Sequence, residues 1–213
     1  MRFLVIGAGG FSLEIADLVT LLGHEVAGFF DEAGSADRHP TIPVTVFDTL
    51  PDDGFDAAVI AIGDSAARRR VYAMVADRYE LPVLTHPSAS VSPFARLGAG
   101  TLVMQNVTVS AQAVVGENTL INVGCYVAHD CRVGAHSHLA AAVNMGGGSS
   151  VGEGALCGTG SILLPGIQVG AWATLGAGAV ATRDIPAEET WVGIPALPIH
   201  ADAAAPLVPE CES

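Results

Sequence analysis

Histidine and cysteine are the residue types in this sequence whose side chains suit acid–base or covalent chemistry at neutral pH. The chain has seven histidines, at positions His24, His39, His86, His129, His136, His138 and His200. In the segment AHDC, His129 is followed directly by Asp130. A neighbouring carboxylate favours the imidazolium form and makes the ring a stronger base. The pair His129–Asp130 is therefore the candidate general base.

A repeat of six residues organises the region around these histidines. Apolar residues stand at every sixth position, namely Val91, Leu97, Val103, Val109, Val115, Ile121, Val127, Val133, Leu139, Met145, Val151, Cys157, Leu163, Val169 and Leu175. A residue that is usually small stands four places after each of them. Because 50% of the chain is hydrophobic, chance would produce such an unbroken run only roughly 3 times in 100,000.

A period of six fits neither an α-helix nor an alternating strand, and it is typical of parallel β-helices. Three hexads form one triangular coil, so the repeat predicts about five stacked coils. The aliphatic residue would point inward, and the glycine that often follows it, as at Gly116, would supply turn conformations. Since Val127 points inward, His129 would lie outside near a corner, with His136 and His138 in the next hexad. The alternative for each histidine is an ordinary surface position.

The four cysteines contain no CxxC pair and no spacing typical of a zinc finger. We therefore expect no metal site, and free thiols in a reducing cytoplasm. Cys125 and Cys131 suggest a covalent acyl-enzyme, but both occupy small positions of the hexad, and Cys157 occupies an inward position. A buried thiol away from positive charge stays protonated and unreactive, so we assign no cysteine a catalytic role.

Charge and hydropathy exclude several classes of partner. The chain has 22 acidic residues against nine basic ones, with a net charge of −13, which argues against binding nucleic acid or an anionic membrane. The apolar start resembles a signal peptide, but Glu14 and Asp17 follow at once and no A-x-A site appears. The uncharged stretch 154–182 contains glycines, Pro165 and Gln168 within the hexads, unlike a transmembrane helix. A cytoplasmic protein is predicted.

The residues before the repeat alternate between strand and helix patterns. Three segments have the apolar pattern of strands, residues 2–10, 25–32 and 56–64, and two have helical periodicity, residues 11–22 and 66–79. This alternation predicts a small parallel sheet with a ligand site at the carboxyl ends of its strands. The residues that fall at those ends are Gly7, Gly9, Gly10, Asp31 and Gly63.

The glycine turn after the first strand has three interpretations. A dinucleotide site would require glycine where Ser12 stands in the pattern G-A-G-G-F-S, and the predicted sheet is small for it, so NAD is disfavoured. A mononucleotide-sized ligand such as a nucleotide sugar fits better. The glycines could also serve only the packing of strand against helix.

The motifs GAGG, FFDE, IAIGD, THPSA, AHDC and the closing WVGIPA together resemble those of the nucleotide-sugar N-acetyltransferases and sialic-acid O-acetyltransferases, which are left-handed β-helix acyltransferases of bacterial surface-glycan pathways. The resemblance covers residues 2–199. It implies a mixed fold in three parts: a Rossmann-like βαβαβ domain that binds a nucleotide sugar (1–85), a left-handed parallel β-helix (86–197) and a flexible tail (198–213).

The resemblance also implies a role for each site residue. His129 would be the general base and Asp130 the acid that tunes it. Acetyl-CoA would contact His138, and its pantetheine arm would contact Thr159 and Ala177. The activated sugar would contact residues of the first domain, namely Gly9, Gly10, Phe11, Asp31, Glu32 and Gly63.

This sequence departs from the family's pattern at two positions. Many relatives have histidine where Phe11 stands and a basic residue where Leu197 stands. The second departure leaves Arg183 as a candidate partner for the phosphates of coenzyme A.

The expected reaction is transfer of an acetyl group from acetyl-CoA to the amine of a nucleotide-linked amino sugar, with His129 accepting the proton. The alternatives are a sugar O-acetyltransferase of the sialic-acid type and a non-catalytic β-helix assembly protein. We also predict a homotrimer, because a lone prism offers no deep cleft, whereas prisms around a threefold axis form grooves between them. In that trimer one subunit's His129 and first domain would face coenzyme A held partly by the next.

Overall fold

The computed structural model describes residues 1–31 and 45–199. The first region contains β1 (Arg2–Ile6), α1 (Gly10–Leu21), β2 (Glu25–Phe30), β3 (Val46–Phe47), β4 (Ala57–Ile60) and α2 (Ser65–Val75). Its four strands form a parallel sheet in the order β3-β2-β1-β4. The predicted strands and helices are confirmed, and all five end earlier than predicted. Strand β3 was not predicted, because two residues are too short to show a period.

Both faces of this sheet are buried, which explains the unbroken apolar run in β1. Phe3 and Val5 pack in one hydrophobic cluster with α1, while Leu4 and Ile6 pack in another with α2. The cluster on the α1 side continues into the repeat region through Leu84, Leu102, Met104 and Leu120. The two regions therefore share buried apolar surface.

The repeat region is a parallel β-helix of triangular cross-section, and we number its faces in the order in which the chain visits them. Face 1 contains β5 (Leu84–Thr85), β8 (Leu102–Val103), β11 (Leu120–Ile121), β14 (His138–Leu139), β17 (Leu156–Cys157), β20 (Thr174–Leu175), β22 (Thr190–Val192) and the antiparallel β23 (Leu197–Pro198). Face 2 contains β6 (Ser90–Val91), β9 (Thr108–Val109), β12 (Tyr126–Val127), β15 (Asn144–Met145), β18 (Ile162–Leu163) and β21 (Val180–Ala181). Face 3 contains β7 (Arg96–Leu97), β10 (Val114–Val115), β13 (Arg132–Val133), β16 (Ser150–Val151) and β19 (Gln168–Val169).

The predicted inward positions are confirmed. From Val103 to Leu175 every apolar hexad residue is buried, and all of them belong to one core cluster. The estimate of about five coils was low, because face 2 alone contributes six strands. The apolar repeat spans Val91 to Leu175. The solenoid is longer than this repeat, because β5 precedes it and β21 and β22 follow it.

The expected role of the glycines after the inward residues was wrong. Positive φ occurs three places after the inward residue, at Gly100 (68°) and then at every sixth residue to Gly178 (65°). The glycine directly after the inward residue serves close stacking instead. A Cβ at Gly116 would overlap the backbone nitrogen of Ala135 in the next coil.

Several hydroxyl groups in the solenoid core bond between coils, whereas that of Ser161 has no partner among the described residues. The side chains of Thr101, Thr119 and Ser137 each donate to a carbonyl fifteen residues on, at 3.0, 3.1 and 2.8 Å. Buried donors that find acceptors do not penalise folding, so small polar residues are tolerated at these positions. No helix within the described residues is long and apolar enough to cross a membrane.

Candidate active site

The pair His129–Asp130 lies on the corner between faces 2 and 3, where the chain passes from β12 to β13. The Nδ1 of His129 is 2.8 Å from Oδ2 of Asp130, and the two side chains are 69% and 64% exposed. A carboxylate can only accept, so Nδ1 carries the proton, and in the neutral ring the lone pair is on Nε2. A Cβ on Gly147 would lie 2.7 Å from Nε2. Gly147 thus leaves room for the imidazole.

His138 lies in β14 on face 1, against the first domain. Its Nδ1 is 3.0 Å from the carbonyl oxygen of Gly63, which fixes the proton on Nδ1. Its Nε2 is shielded from water and has no hydrogen-bond partner among the described residues. Burial, together with the charge of Arg68, lowers the pKa of His138 to about 4. The ring is therefore neutral at physiological pH.

A cleft of about 410 Å³ opens at this junction. Gly63, Asp64 and Ser65 line it from the first domain, and His138 and Trp172 line it from the solenoid. Asp64 caps α2, since its carboxylate accepts from the backbone N–H of Ala67 at 2.7 Å. The cleft thus joins a predicted sugar contact, Gly63, to a predicted acetyl-CoA contact, His138.

Arg68 was not singled out as a site residue by its sequence, although it closes the junction beneath this cleft. It is the first of three consecutive arginines in α2, and such a run is typical of a solvent-exposed helix surface. In the structure it is 1% exposed. No local signal distinguishes it from Arg69, whose side chain lies 3.6 Å from Glu153 and above the Trp172 ring.

The carboxyl edge of the first sheet forms a second, smaller pocket of about 90 Å³, lined by Gly7, Asp31, Ile62 and Arg70 among others. Here Oδ2 of Asp31 accepts from the backbone N–H of Ala8 at 3.0 Å. The carboxylate therefore helps to hold the turn after β1 in place. Glu32, also a predicted sugar contact, lies outside the described residues, as do residues 200–213 of the predicted tail.

The other predicted sugar contacts lie on the same turn. Gly9 is the N-cap of α1 without a side-chain hydrogen bond, and Gly10 is the first residue of the helix. A Cβ on either would meet no atom of the described residues within 4 Å. Phe11 is half-buried and packs against the α1 cluster. Ser12 donates its hydroxyl to the Gly9 carbonyl at 2.6 Å.

Thr159 and Ala177 are stacked on the corner between faces 1 and 2. Both are exposed, and the carbonyl of Thr159 accepts from the N–H of Gly178 at 2.8 Å. His129 lies on a different corner, the one opposite face 1. The structure brings Gly63 to His138, but it does not bring His129 of the same chain to either.

Within one chain, the first domain packs on face 1 and His129 lies on the opposite corner. Hexad position predicts which side chains point inward or outward, but not which face the first domain covers.

Cys125, Cys131 and Cys157 are buried free thiols. Burial raises the pKa of Cys125 to about 11 and that of Cys157 to about 12. Cys125 donates to the carbonyl of Ala140 at 3.0 Å. These thiols occupy the core positions that the hexads predict.

Comparison with known proteins extends these observations. A profile of the PglD N-terminal domain family matches residues 2–75. The structure of PerB from Caulobacter crescentus in complex with CoA and GDP-perosamine is 35% identical, with a TM-score of 0.87 over 94% of this chain and 98% of that chain. The acetyltransferase domain of PglB from Neisseria gonorrhoeae is 33% identical, with a TM-score of 0.86 over 93% and 99%.

Curated sequences give shorter matches. GDP-perosamine N-acetyltransferase from Escherichia coli O157:H7 is 30% identical over 89 residues, which are 41% of this chain and 40% of that protein. The chain spans less than half the length of the curated relatives it matches.

Fold and similarity together define a hexapeptide-repeat acyltransferase. The chain belongs to the left-handed β-helix family of sugar N-acetyltransferases.

Proposed function

We propose that this protein transfers an acetyl group from acetyl-CoA to the amine of a nucleotide-linked amino sugar used in surface-glycan biosynthesis. The observation that carries the proposal is the similarity to PerB along nearly the whole chain, since PerB was crystallised with CoA and GDP-perosamine. The cleft lined by Gly63 and His138 supports it, because two ligands bound to the two regions would meet there.

The proposed reaction is a direct displacement. The nucleotide binds at the carboxyl edge of the first sheet, and acetyl-CoA binds along His138, Thr159 and Ala177. The amine attacks the thioester carbonyl, so that a C–N bond forms and the C–S bond breaks. Nε2 of His129 accepts the proton released by the amine and returns it to the departing thiolate. Asp130, bonded to Nδ1 at 2.8 Å, holds the ring in the tautomer that this step requires.

The proposed working unit is a homotrimer in which each site contains parts of two subunits. Within one chain, His129 lies on the corner opposite the face that the first domain covers. A neighbour related by a threefold axis can present its own His129 to the cleft at Gly63 and His138, and cyclic symmetry then forms three equal sites. The chain also has exposed apolar side chains on face 2 and its edge, Tyr126, Ile162 and Leu164, which suit a contact between subunits.

The proposed compartment is the cytoplasm. The three cysteines among the described residues are free thiols, which are stable in a reducing environment, and the proposed reaction would use acetyl-CoA from the same compartment. Arg183 remains the candidate partner of the coenzyme A phosphates, with its guanidinium 5.5 Å above the Trp191 ring.

The test is release of free coenzyme A thiol from acetyl-CoA in the presence of amino sugars linked to UDP, GDP or TDP. We expect thiol release and a mass increase of one acetyl group on one of these, and none with the matching sugar that has a hydroxyl in place of the amine. Acetylation of the hydroxyl analogue or of a sialic acid would instead identify an O-acetyltransferase. Absence of thiol release with every sugar would favour the non-catalytic assembly protein.

A further inference from the structure

Arg68 is a buried cation for which the proposed reaction has no use. It projects from α2 into the junction between the two regions and is 1% exposed. Backbone carbonyls, not a carboxylate, accept most of its hydrogen bonds. Burying a charge in this way is costly unless its donors are all satisfied.

The guanidinium connects the two regions. On the side of the first domain, Nη1 donates to the carbonyls of Ile62 and Gly63, at 3.1 and 2.9 Å. On the side of the solenoid, Nε donates to the carbonyl of Asn118 at 3.1 Å, and Nη2 donates to those of His136 and Ser137, at 2.6 and 2.9 Å. The planar fork of an arginine suits this bridging, because its donors point to both sides at once.

The Gly63 carbonyl accepts two hydrogen bonds, one from Arg68 and one from Nδ1 of His138. Arg68 thereby fixes the acceptor that decides which nitrogen of His138 carries the proton. The remaining nitrogen, Nε2, is left with a lone pair and without a partner among the described residues. Because His138 lines the cleft, a bound ligand is the group that can supply the missing donor.

We propose that Arg68 is a positioning residue that acts through the Gly63 carbonyl to hold His138 as the Nδ1–H tautomer, so that Nε2 accepts a hydrogen bond from an N–H group of a bound ligand. The inference rests on the proposed function, which offers two such groups, the amides of the pantetheine arm and the acceptor amine. The low pKa of His138 agrees with a ring that stays neutral. In this state Nε2 cannot donate to the thioester oxygen.

The first test needs no substrate. In ¹⁵N NMR of histidine-labelled protein at neutral pH, with the signals assigned by comparison with His138→Ala, we expect His138 as the Nδ1–H tautomer. In Arg68→Lys we expect the signal to shift toward the Nε2–H tautomer. If the unmodified protein holds His138 as the Nε2–H tautomer, the proposal is wrong, whether or not the variant folds.

The second test is a double-mutant cycle measured by kinetics. Because Arg68→Lys would cost the ligand its hydrogen bond to the neutral Nε2, we expect it to raise the KM of that ligand by up to roughly tenfold. A rise for acetyl-CoA would assign the donor to the pantetheine arm, and a rise for the nucleotide sugar would assign it to the amine. In a His138→Ala background, Arg68→Lys should change that KM no further.

The control is Arg78→Lys, because Arg78 pairs with Asp52 at 2.6 Å away from the cleft, and it should leave both KM values unchanged. If Arg68 has only a structural role, Arg68→Lys should raise KM by the same factor with or without the His138→Ala change. That result would overturn the proposal. If the unmodified protein transfers no acetyl group at all, the proposed function fails, while the NMR result still decides the role of Arg68.

Discussion

At the scale of single residues, the proton-accepting step depends on His129. Its side chain is exposed on a corner, so we expect His129→Ala to keep the fold and the affinity for the nucleotide sugar while kcat falls on the order of 10²–10⁴-fold. Thiol release would measure kcat, and calorimetry would measure binding. His86→Ala is the control, since His86 bonds Ser88 on a different corner. A loss below about threefold would contradict a general base.

His138 gives a second prediction, on the dependence of stability on pH. Its pKa is lowered from 6.5 to about 4 in the folded state, so between these values the unfolded chain takes up a proton that the folded chain does not. Stability therefore falls as pH decreases from 6.5 to 4, by no more than about 3 kcal/mol from this group.

Urea unfolding at pH values across this range would measure the effect. We expect the slope of stability against pH to be smaller in His138→Ala than in the unmodified protein. The pKa of the nearby His136 is also lowered by burial, but His136 is present in both proteins and cancels in the difference. Equal slopes would show that His138 titrates normally.

At the scale of elements, the solenoid distinguishes two kinds of glycine. Gly116→Ala places a Cβ against the backbone of Ala135 in the next coil, and we expect a loss of roughly 1–3 kcal/mol or more. Gly124 has φ of 68°, and a Cβ there would meet no described atom within 4 Å. Asn106 and Asn118 adopt the same conformation at equivalent positions. Gly124→Asn should therefore cost less than about 1 kcal/mol.

Thermal unfolding of the two variants measures this difference directly. Equal losses of stability in Gly116→Ala and Gly124→Asn would contradict the expectation that close contact between coils makes Gly116 the more sensitive position.

At the scale of the whole molecule, a site shared between subunits predicts complementation. His129→Ala retains an intact first domain, and Asp31→Ala, which removes the carboxylate that holds the turn after β1, should bind the nucleotide sugar weakly but retain His129. After the two inactive trimers are mixed in equal amounts and allowed to exchange subunits, roughly a quarter of the sites would combine both intact parts.

Recovery of activity on mixing, compared with each variant alone, is the measurement. Light scattering should also report a particle of about three chains of 21.7 kDa. An active monomer, or no recovery despite subunit exchange shown by mass spectrometry, would mean that His129 and the first domain act within one chain.

The repeat and its core were readable from the residues because each coil buries the same position of the hexad, and burial selects apolar residues such as Val127 and Leu139 wherever that position recurs. The order of strands and helices in the first domain followed from periodicity for the same reason. The AHDC segment placed His129 beside Asp130 because the two are neighbours in the chain, and their 2.8 Å contact needs no distant partner.

Only the tertiary structure decided which face of the solenoid the first domain covers. Arg68 bonds Asn118, 50 residues away, and His138 bonds Gly63, 75 residues away. Such contacts depend on how the first domain packs against the solenoid, and the periodicity of neither region determines that packing. The same packing leaves His129 on the opposite corner, buries Arg68 in an arginine run that looks exposed, and decides which nitrogen of His138 holds the proton.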